Sequence, residues 1–258
     1  MEKIDFYHYL SKPLRKIKRY FKGYKMNIII TGASSGIGAE LSKRYKKEGH
    51  NVFEISRRSE NYPCDVSDFD KLRQIIKKIT DENEIDMVIA NAGISYPHSK
   101  EFMSFEDFKN TIDVNFISVH ALLESIVAQM KKNKRGKIVI ISSLAGFVAS
   151  PTSLAYSASK RALNSYAEAL RNQLAPFGIK VINIQPGFIE SEMTAKNRFK
   201  MPFLMNLKDG VDEIQKAIAK NKKEYAFPFI FATAVKFLSI LPNNIKDFVL
   251  KTWISNKN

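Results

Sequence analysis

The strongest constraint on the fold of this chain is an alternation of short apolar runs with segments of helical spacing. Residues 26–31 (MNIIIT) form a β-branched run, a glycine-rich turn follows, and residues 39–48 then carry apolar side chains at helical intervals. Residues 51–56 (NVFEIS), 86–90 (DMVIA), 137–142 (KIVIIS) and 179–184 (IKVINI) repeat the first pattern. Continuous short apolar runs of this kind suit strands buried on both faces. Helical stretches at about 67–80, 104–132 and 153–175 are long enough for right-handed crossovers between parallel neighbours. The expected fold is therefore α/β, a doubly wound parallel sheet flanked by helices, with residues 225–227 as a late edge strand. At 258 residues one such domain fills the chain, with ligands expected at the carboxyl ends of the strands.

The turn after the first run reads Thr31-Gly32-Ala33-Ser34-Ser35-Gly36-Ile37-Gly38. Glycines permit a sharp turn and let backbone N–H groups approach a pyrophosphate at the positive end of the next helix. The spacing is G-x-x-x-G-x-G rather than G-x-G-x-x-G. The same residues would also serve as a plain strand-to-helix connection, but their place after a buried strand favours a nucleotide. The second run ends at Ser56-Arg57-Arg58. An acidic residue there would hold a ribose 2′-hydroxyl, whereas an arginine accommodates a 2′-phosphate. NADP(H) is thus favoured over NAD(H), solvated surface arginines being the alternative. Glu54 lies two residues inside the strand, too early for the acidic role.

Tyr156-Ser157-Ala158-Ser159-Lys160 puts a phenol and an ammonium four residues apart on one helical face. A nearby cation stabilises phenolate, and tyrosine with its ordinary pKa near 10 needs such help to exchange protons near neutrality. Alone, Y-x-x-x-K is common on surface helices. Here it accompanies the glycine turn, Asp65-Val66 after the second strand, Asn91-Ala92-Gly93 after the third, Ser143 after the fourth and Pro186-Gly187 after the fifth.

In that order and spacing, residues 26–195 resemble the single-domain short-chain dehydrogenase/reductase family, whose sheet is of Rossmann type. The resemblance implies that Tyr156 is the general acid/base of a hydride transfer between a nicotinamide cofactor and a carbonyl or secondary alcohol. It implies that Lys160 lowers the tyrosine pKa and holds the nicotinamide ribose. Ser143, thirteen residues before Tyr156, would polarise the carbonyl oxygen, and Asn115, in Asp113-Val114-Asn115, would support a water linking Lys160 to solvent. For the cofactor it implies contacts from Gly32, Ser34, Ser35, Gly36, Ile37 and Gly38, and from Ser56, Arg57 and Arg58. Asp65 and Val66 would receive the adenine, and Asn91, Ala92 and Gly93 would lie beside the adenosine ribose. Pro186, Gly187 and Ile189 would border the nicotinamide, with Tyr156 and Lys160 contacting the cofactor too. Two positions depart from the family's pattern, Ala90 where asparagine is frequent and Ser191 where threonine is; Ser191 keeps a hydroxyl for the carboxamide. A catalytically silent NADP(H)-binding sensor or a membrane-associated partner-binding protein is the alternative reading, although no catalytic position is substituted.

Composition bears on the setting. One cysteine, Cys64, excludes an internal disulfide, suggests a reduced cytoplasm, and reads as a small buried apolar residue. Four scattered histidines make a metal site an unexpected feature. No signal peptide or run of about 18 apolar residues is recognised. The formal charge of +15 is concentrated at the ends: residues 1–25 carry 8 Lys/Arg against 2 Asp/Glu and residues 196–258 carry 12 against 5, leaving 26–195 nearly neutral. That distribution does not suit a nucleic-acid-binding fold.

Three segments are expected: a basic amphipathic extension at 1–25, a catalytic domain at 26–225, and an apolar and basic helical segment at 226–258. In the extension, Tyr7, Leu10, Leu14, Ile17, Phe21 and Tyr24 recur at intervals of 3 and 4 as one apolar stripe among lysines and arginines. An anionic membrane surface is its first candidate partner, at the inner face of the membrane of a cytoplasmic protein; a partner protein or its own domain comes next, and nucleic acid last. Residues 229–242 (FIFATAVKFLSILP) are apolar nearly all round. They could bury in a dimer, cover the substrate pocket, lie in a membrane interface, or simply pack as a C-terminal helix. Phe188, Met193, Phe199, Met201, Phe203, Leu204 and Met205 in the loop after Pro186-Gly187 suggest an apolar or lipid-like small-molecule substrate. A homodimer or homotetramer is the expected assembly, although the Asp-Gly-Gly turn that helps many relatives form tetramers is replaced by Glu224-Tyr225-Ala226-Phe227-Pro228.

Overall fold

The computed structural model describes residues 25–96, 102–150, 153–197 and 201–255. Strands β1 (Asn27–Thr31), β2 (Asn51–Ile55), β3 (Met87–Ala90), β4 (Gly136–Ile141), β5 (Ile179–Pro186) and β6 (Glu224–Phe227) form one sheet in the order β2-β1-β3-β4-β5-β6. All the pairings are parallel. Each crossover is helical: α1 (Gly36–Lys47), α2 (Phe69–Glu82), α3 (Phe105–Ile112) continuing into α4 (Ser118–Asn133), α5 (Leu154–Leu174) and α6 (Leu207–Ala219). After β6 the chain ends in α7 (Phe229–Ile240) and α8 (Asn243–Ser255).

Alternation along the strands sends side chains into two cores. Ile29, Val88, Ile138 and Ile140 pack with Leu72 and Ile76 of α2, Leu122 and Ile126 of α4 and Leu163 of α5. Ile28, Ile30, Met87, Ile89 and Val139 face the other way, against Leu41 and Tyr45 of α1 and Val211 and Ile214 of α6. With both faces covered, the strands need no polar alternation. Cys64 is buried, and burial pushes its thiol up to about 11, so it is a packing residue at neutral pH.

The expected elements are present with three refinements. First, the stretch expected as one helix at 104–132 is broken by a π turn, Asp113–Ile117, between α3 and α4. By length and mean hydropathy (1.3) residues 105–133 could cross a membrane, but half of that window is buried inside the domain, as in a core helix. Second, β5 runs on to Pro186, two residues past the expected end. Third, the apolar segment 229–242 is a helix that stops at Ile240, and a further helix follows. The basic stripe between Tyr7 and Tyr24 lies outside the described residues.

Candidate active site

Adjacent crossovers diverge where β1 lies between β2 and β3, and the glycine turn sits at that point. Gly32 (φ +67°) and Gly36 (φ +52°) occupy the left-handed region that favours glycine. A Cβ on Gly38 would stand 2.2 Å from the Gly32 carbonyl oxygen, so only glycine closes the turn this tightly. Asn91 locks it from the side: its Nδ2 donates to the Thr31 and Gly32 carbonyls at 3.0 and 3.2 Å, while the Asn91 and Ala92 N–H groups donate to Thr31 Oγ1. Helices α2, α3 and α6 are capped by the side chains of Asp68, Ser104 and Asn206. Ser35, at the start of α1, makes no side-chain cap bond, as is also the case for Ser153 at the start of α5; among the described residues the N–H groups that open α1 are thus not capped by Ser35. The donors, their direction and the absence of Cβ bulk fit a dinucleotide pyrophosphate.

At the end of β2, Ser56 is buried and its hydroxyl contacts Ser59 Oγ at 2.7 Å, while Arg57 and Arg58 are exposed. The Arg58 guanidinium faces the Glu192 carboxylate at 3.5 Å, and the Arg57 charge helps to lower the pKa of Asp65. Burial would raise that carboxyl, but hydrogen bonds from the Ser67 hydroxyl and N–H outweigh it. Glu54 is committed elsewhere, to Ser42 and to Lys46 (2.8 Å) on α1. Val66 is buried beneath Asp65.

The second cluster forms where β3, β4 and β5 end. Ser143 follows β4 and caps a short 3₁₀ turn, accepting from the Ala145 N–H at 3.1 Å. Tyr156 and Lys160 come from the first turns of α5. Lys160 is 4 % exposed, its Nζ donates to the Ile141 carbonyl at 2.9 Å and lies 5.6 Å from the centroid of the Tyr156 ring. Burial lowers the ammonium pKa to about 8. Burial also raises the Tyr156 phenol, and the facing Ser143 hydroxyl pulls in the opposite direction. The expected lowering of the tyrosine pKa by Lys160 is thus not the dominant effect: the ammonium sits over the ring and is tied to a backbone oxygen, and desolvation prevails.

Asn115 is fully buried on the π turn. It accepts from the Ile94 N–H at 2.7 Å and donates to the Ile94 carbonyl at 2.9 Å and to Ser159 Oγ at 3.0 Å. The extra residue of a π turn re-aims one side chain without ending the helix, and here it brings Asn115 to the loop after β3. A Cβ on Gly93 in that loop would lie 3.4 Å from Asn115 Oδ1 and 3.7 Å from Lys160 Nζ. Asn115, Ser143, Tyr156, Lys160 and Gly93 are therefore brought together. The glycine turn follows β1 and Asp65 follows β2, at the same end of the sheet.

Beyond Pro186, the Gly187 N–H donates to the Phe227 carbonyl at 2.7 Å, and Ile189 bridges to Met205. Ser191 is engaged in a local turn with Thr194, whose Oγ1 accepts from the Ser191 N–H at 2.8 Å. Several contributors were missed by sequence reasoning. Ser159, visible as the serine of Y-x-A-S-K, links Asn115 to the Tyr156 carbonyl, to which it donates at 2.7 Å. Asn164 accepts from Ser142, Asn183 and Gln185, tying α5 to β4 and β5 behind Ser143. Phe231 of α7 stacks on Phe188 and Phe203, at 6.0 and 5.7 Å between centroids, an aromatic wall from the segment 229–242 for which covering the substrate pocket is one of the expected roles. Phe199 lies outside the described residues.

A doubly wound sheet with a glycine-lined helix N-terminus and a Ser-Tyr-Lys cluster at its strand ends defines an oxidoreductase that works with a nicotinamide cofactor. The short chain dehydrogenase family profile matches residues 26–201, and the chain belongs to that family. An uncharacterized oxidoreductase of Myxococcus xanthus is 35 % identical over 237 residues, covering 85 % of this chain and 94 % of the relative. A 3-ketodihydrosphingosine reductase of Bacteroides thetaiotaomicron is 31 % identical over 258 residues, covering 87 % and 96 %. Among solved structures, a short chain dehydrogenase from Burkholderia cenocepacia in complex with NADP superposes with a TM-score of 0.75 at 23 % identity, over 88 % of this chain and 97 % of that one.

Proposed function

We propose that the chain is an NADP(H)-dependent reductase of a ketone on an apolar, lipid-like substrate, with Tyr156 as the proton donor. The observation that carries the reading is the meeting of the Tyr156 phenol, the Ser143 hydroxyl and the buried Lys160 ammonium at the strand ends. The glycine turn and the start of α1 would hold the pyrophosphate, Asp65 and Val66 the adenine, and Arg57 the 2′-phosphate. Arg58 is the lesser candidate for the phosphate because Glu192 already faces it. When bound, the cofactor supplies hydride to the carbonyl carbon.

The chain's own groups handle the oxygen. Burial keeps Tyr156 protonated at neutral pH, which suits a general acid in the reductive direction. Its proton passes to the carbonyl oxygen as negative charge develops there, while the Ser143 hydroxyl donates a hydrogen bond to the same atom. Lys160, with a pKa of about 8, is still mostly a cation at pH 7 and favours the tyrosinate left behind. Asn115 is a positioning residue, since its side chain is spent on the Ile94 backbone and Ser159. The substrate class rests on the aromatic wall of Phe188, Phe203 and Phe231 and on the Bacteroides relative, whose name denotes a ketone on a lipid chain.

The test is NADPH consumption with short and long-chain 3-keto compounds, for wild type and Tyr156→Phe. Loss of the acid should lower kcat by about 10²-fold or more with NADPH binding retained. Equal turnover by the two proteins would overturn the assignment, and equal kcat/KM for short and long substrates would remove the lipid-like class.

A further inference from the structure

The faces of β4, β5 and α5 that pack on one another change character along their length. On β4 the face runs Ile138, Ile140 and then Ser142; on β5 it runs Ile179, Val181 and then Asn183 and Gln185. On α5, Leu163 and Ala167 continue the apolar core, whereas Tyr156, Lys160 and Asn164 recur every four residues along one polar edge. The polar ends converge on a single atom. Asn164 Oδ1 accepts from the Ser142 hydroxyl at 2.7 Å, from Asn183 Nδ2 at 2.9 Å and from Gln185 Nε2 at 3.2 Å. The Ser142 hydroxyl also donates to the Lys160 carbonyl at 3.1 Å. Asn183 and Gln185 are each 1 % exposed, and their side-chain oxygens, with Asn164 Nδ2, are buried without a partner among the described residues. Buried amides short of partners cost folding free energy that apolar side chains of similar shape would not. Stability alone does not explain the cluster.

We infer that Asn164 is a positioning residue for the reduction, a role that rests on the reaction assigned above: it fixes where α5 sits along β4 and β5, and with that the approach of Tyr156 to Ser143. Two of its three donors are chain neighbours of site residues. Ser142 precedes Ser143, and Gln185 precedes Pro186, whose carbonyl lies 3.4 Å from Ser143 Oγ. Lys160 stands about one helical turn before Asn164 on α5, and Tyr156 about two. One side-chain oxygen thus ties both strand ends to the helix that carries the phenol and the ammonium. Gly146 permits the fit: a Cβ there would stand 2.5 Å from Asn164 Nδ2 and 2.8 Å from the Lys160 carbonyl oxygen, so the turn after Ser143 packs directly on α5. A slip of about 1 Å between reacting groups costs about 10²-fold in rate. The glycine turn follows β1, which β3 separates from β4, so a slip of α5 should slow the chemistry without loosening the pyrophosphate site.

The full chain is assayed as wild type, Tyr156→Phe, Asn164→Leu, Asn164→Asp and Gln185→Leu. The readouts are kcat and KM with NADPH and a long-chain 3-keto compound, NADPH affinity by calorimetry, and the unfolding midpoint. Asn164→Leu, similar in volume but without the acceptor, should lower kcat by about 10–10²-fold with NADPH affinity and substrate KM kept. Asn164→Asp retains the shared oxygen and should recover most of the lost rate. Gln185→Leu gives the same split if Asn164→Leu fails to fold: it removes one tie together with an unpartnered oxygen, so kcat should fall while the unfolding midpoint does not. Wild-type kcat in folded Asn164→Leu or in Gln185→Leu, no recovery with Asn164→Asp, or a loss confined to the unfolding midpoint would overturn the inference alone. Turnover by Tyr156→Phe equal to wild type would overturn the reaction on which it rests, and the inference with it.

Discussion

Helices α1 and α7 each leave one surface unfinished, and in opposite chemical senses. α1 packs Leu41 and Tyr45 into the core and leaves polar N–H groups without a side-chain cap at its start. α7 turns its lysine inward and leaves Phe229, Ile230, Phe237 and Ile240 outside. The first is a short, rigid gap fixed by backbone: Gly32, Gly36 and Gly38 set its shape and Asn91 holds it. The second is a broad side-chain surface that no backbone group specifies. A polyanion fits the former, whereas the latter offers apolar side chains. Changes at one region should therefore leave the other intact.

The largest separation between them is expected from Gly38→Ala. The new Cβ would meet the Gly32 oxygen at 2.2 Å, opening the turn at a cost of about 1–3 kcal/mol in thermal or urea unfolding. NADPH affinity by calorimetry should fall by about 10²-fold or more. Retained NADPH affinity would show that the turn is only a connection. Arg57→Ala should weaken NADPH relative to NADH by about tenfold, the order of one charge-assisted hydrogen bond. An unchanged ratio would refute the phosphate role and return Arg57 to the solvated surface.

A smaller effect concerns pH. The Lys160 pKa is lowered from 10.5 to about 8 by burial, so the folded state disfavours the charged form. The stability penalty is present in full below pH 8 and is relieved as pH rises towards the unfolded value, so this group makes the protein more stable with increasing pH in that window. Activity should move the other way: kcat/KM for NADPH should decline several-fold as pH passes about 8 and the ammonium is lost. A flat profile from pH 7 to about 9 would mean that the charge of Lys160 does not matter to cofactor capture.

What could be read in the sequence follows the range of the interactions. The strands and the glycine turn rest on contacts within a few residues and were legible in spacing, whereas the Tyr156–Lys160 pair gained its meaning only from the motifs that accompany it and the family they resemble. The π turn was illegible because Asp113-Val114-Asn115-Phe116-Ile117 has no local signature for its wider hydrogen bonding; what holds Asn115 is the backbone of Ile94 and the hydroxyl of Ser159. Arg58 meets Glu192 across 134 positions of the chain, which no window detects. For α7 the apolar composition was plain but its orientation was not, because a sequence apolar nearly all round carries no moment to say which side faces the domain.

The central claim is that the Ser143, Tyr156 and Lys160 cluster reduces a carbonyl with hydride from NADPH. It is tested most directly with NADPH deuterated at the transferable position of the nicotinamide, a long-chain 3-keto substrate, and mass spectrometry of the product. The account predicts one deuterium on the former carbonyl carbon in wild type and almost none with Tyr156→Phe in the same time. Unlabelled product, or label delivered equally well by the phenylalanine variant, would contradict it.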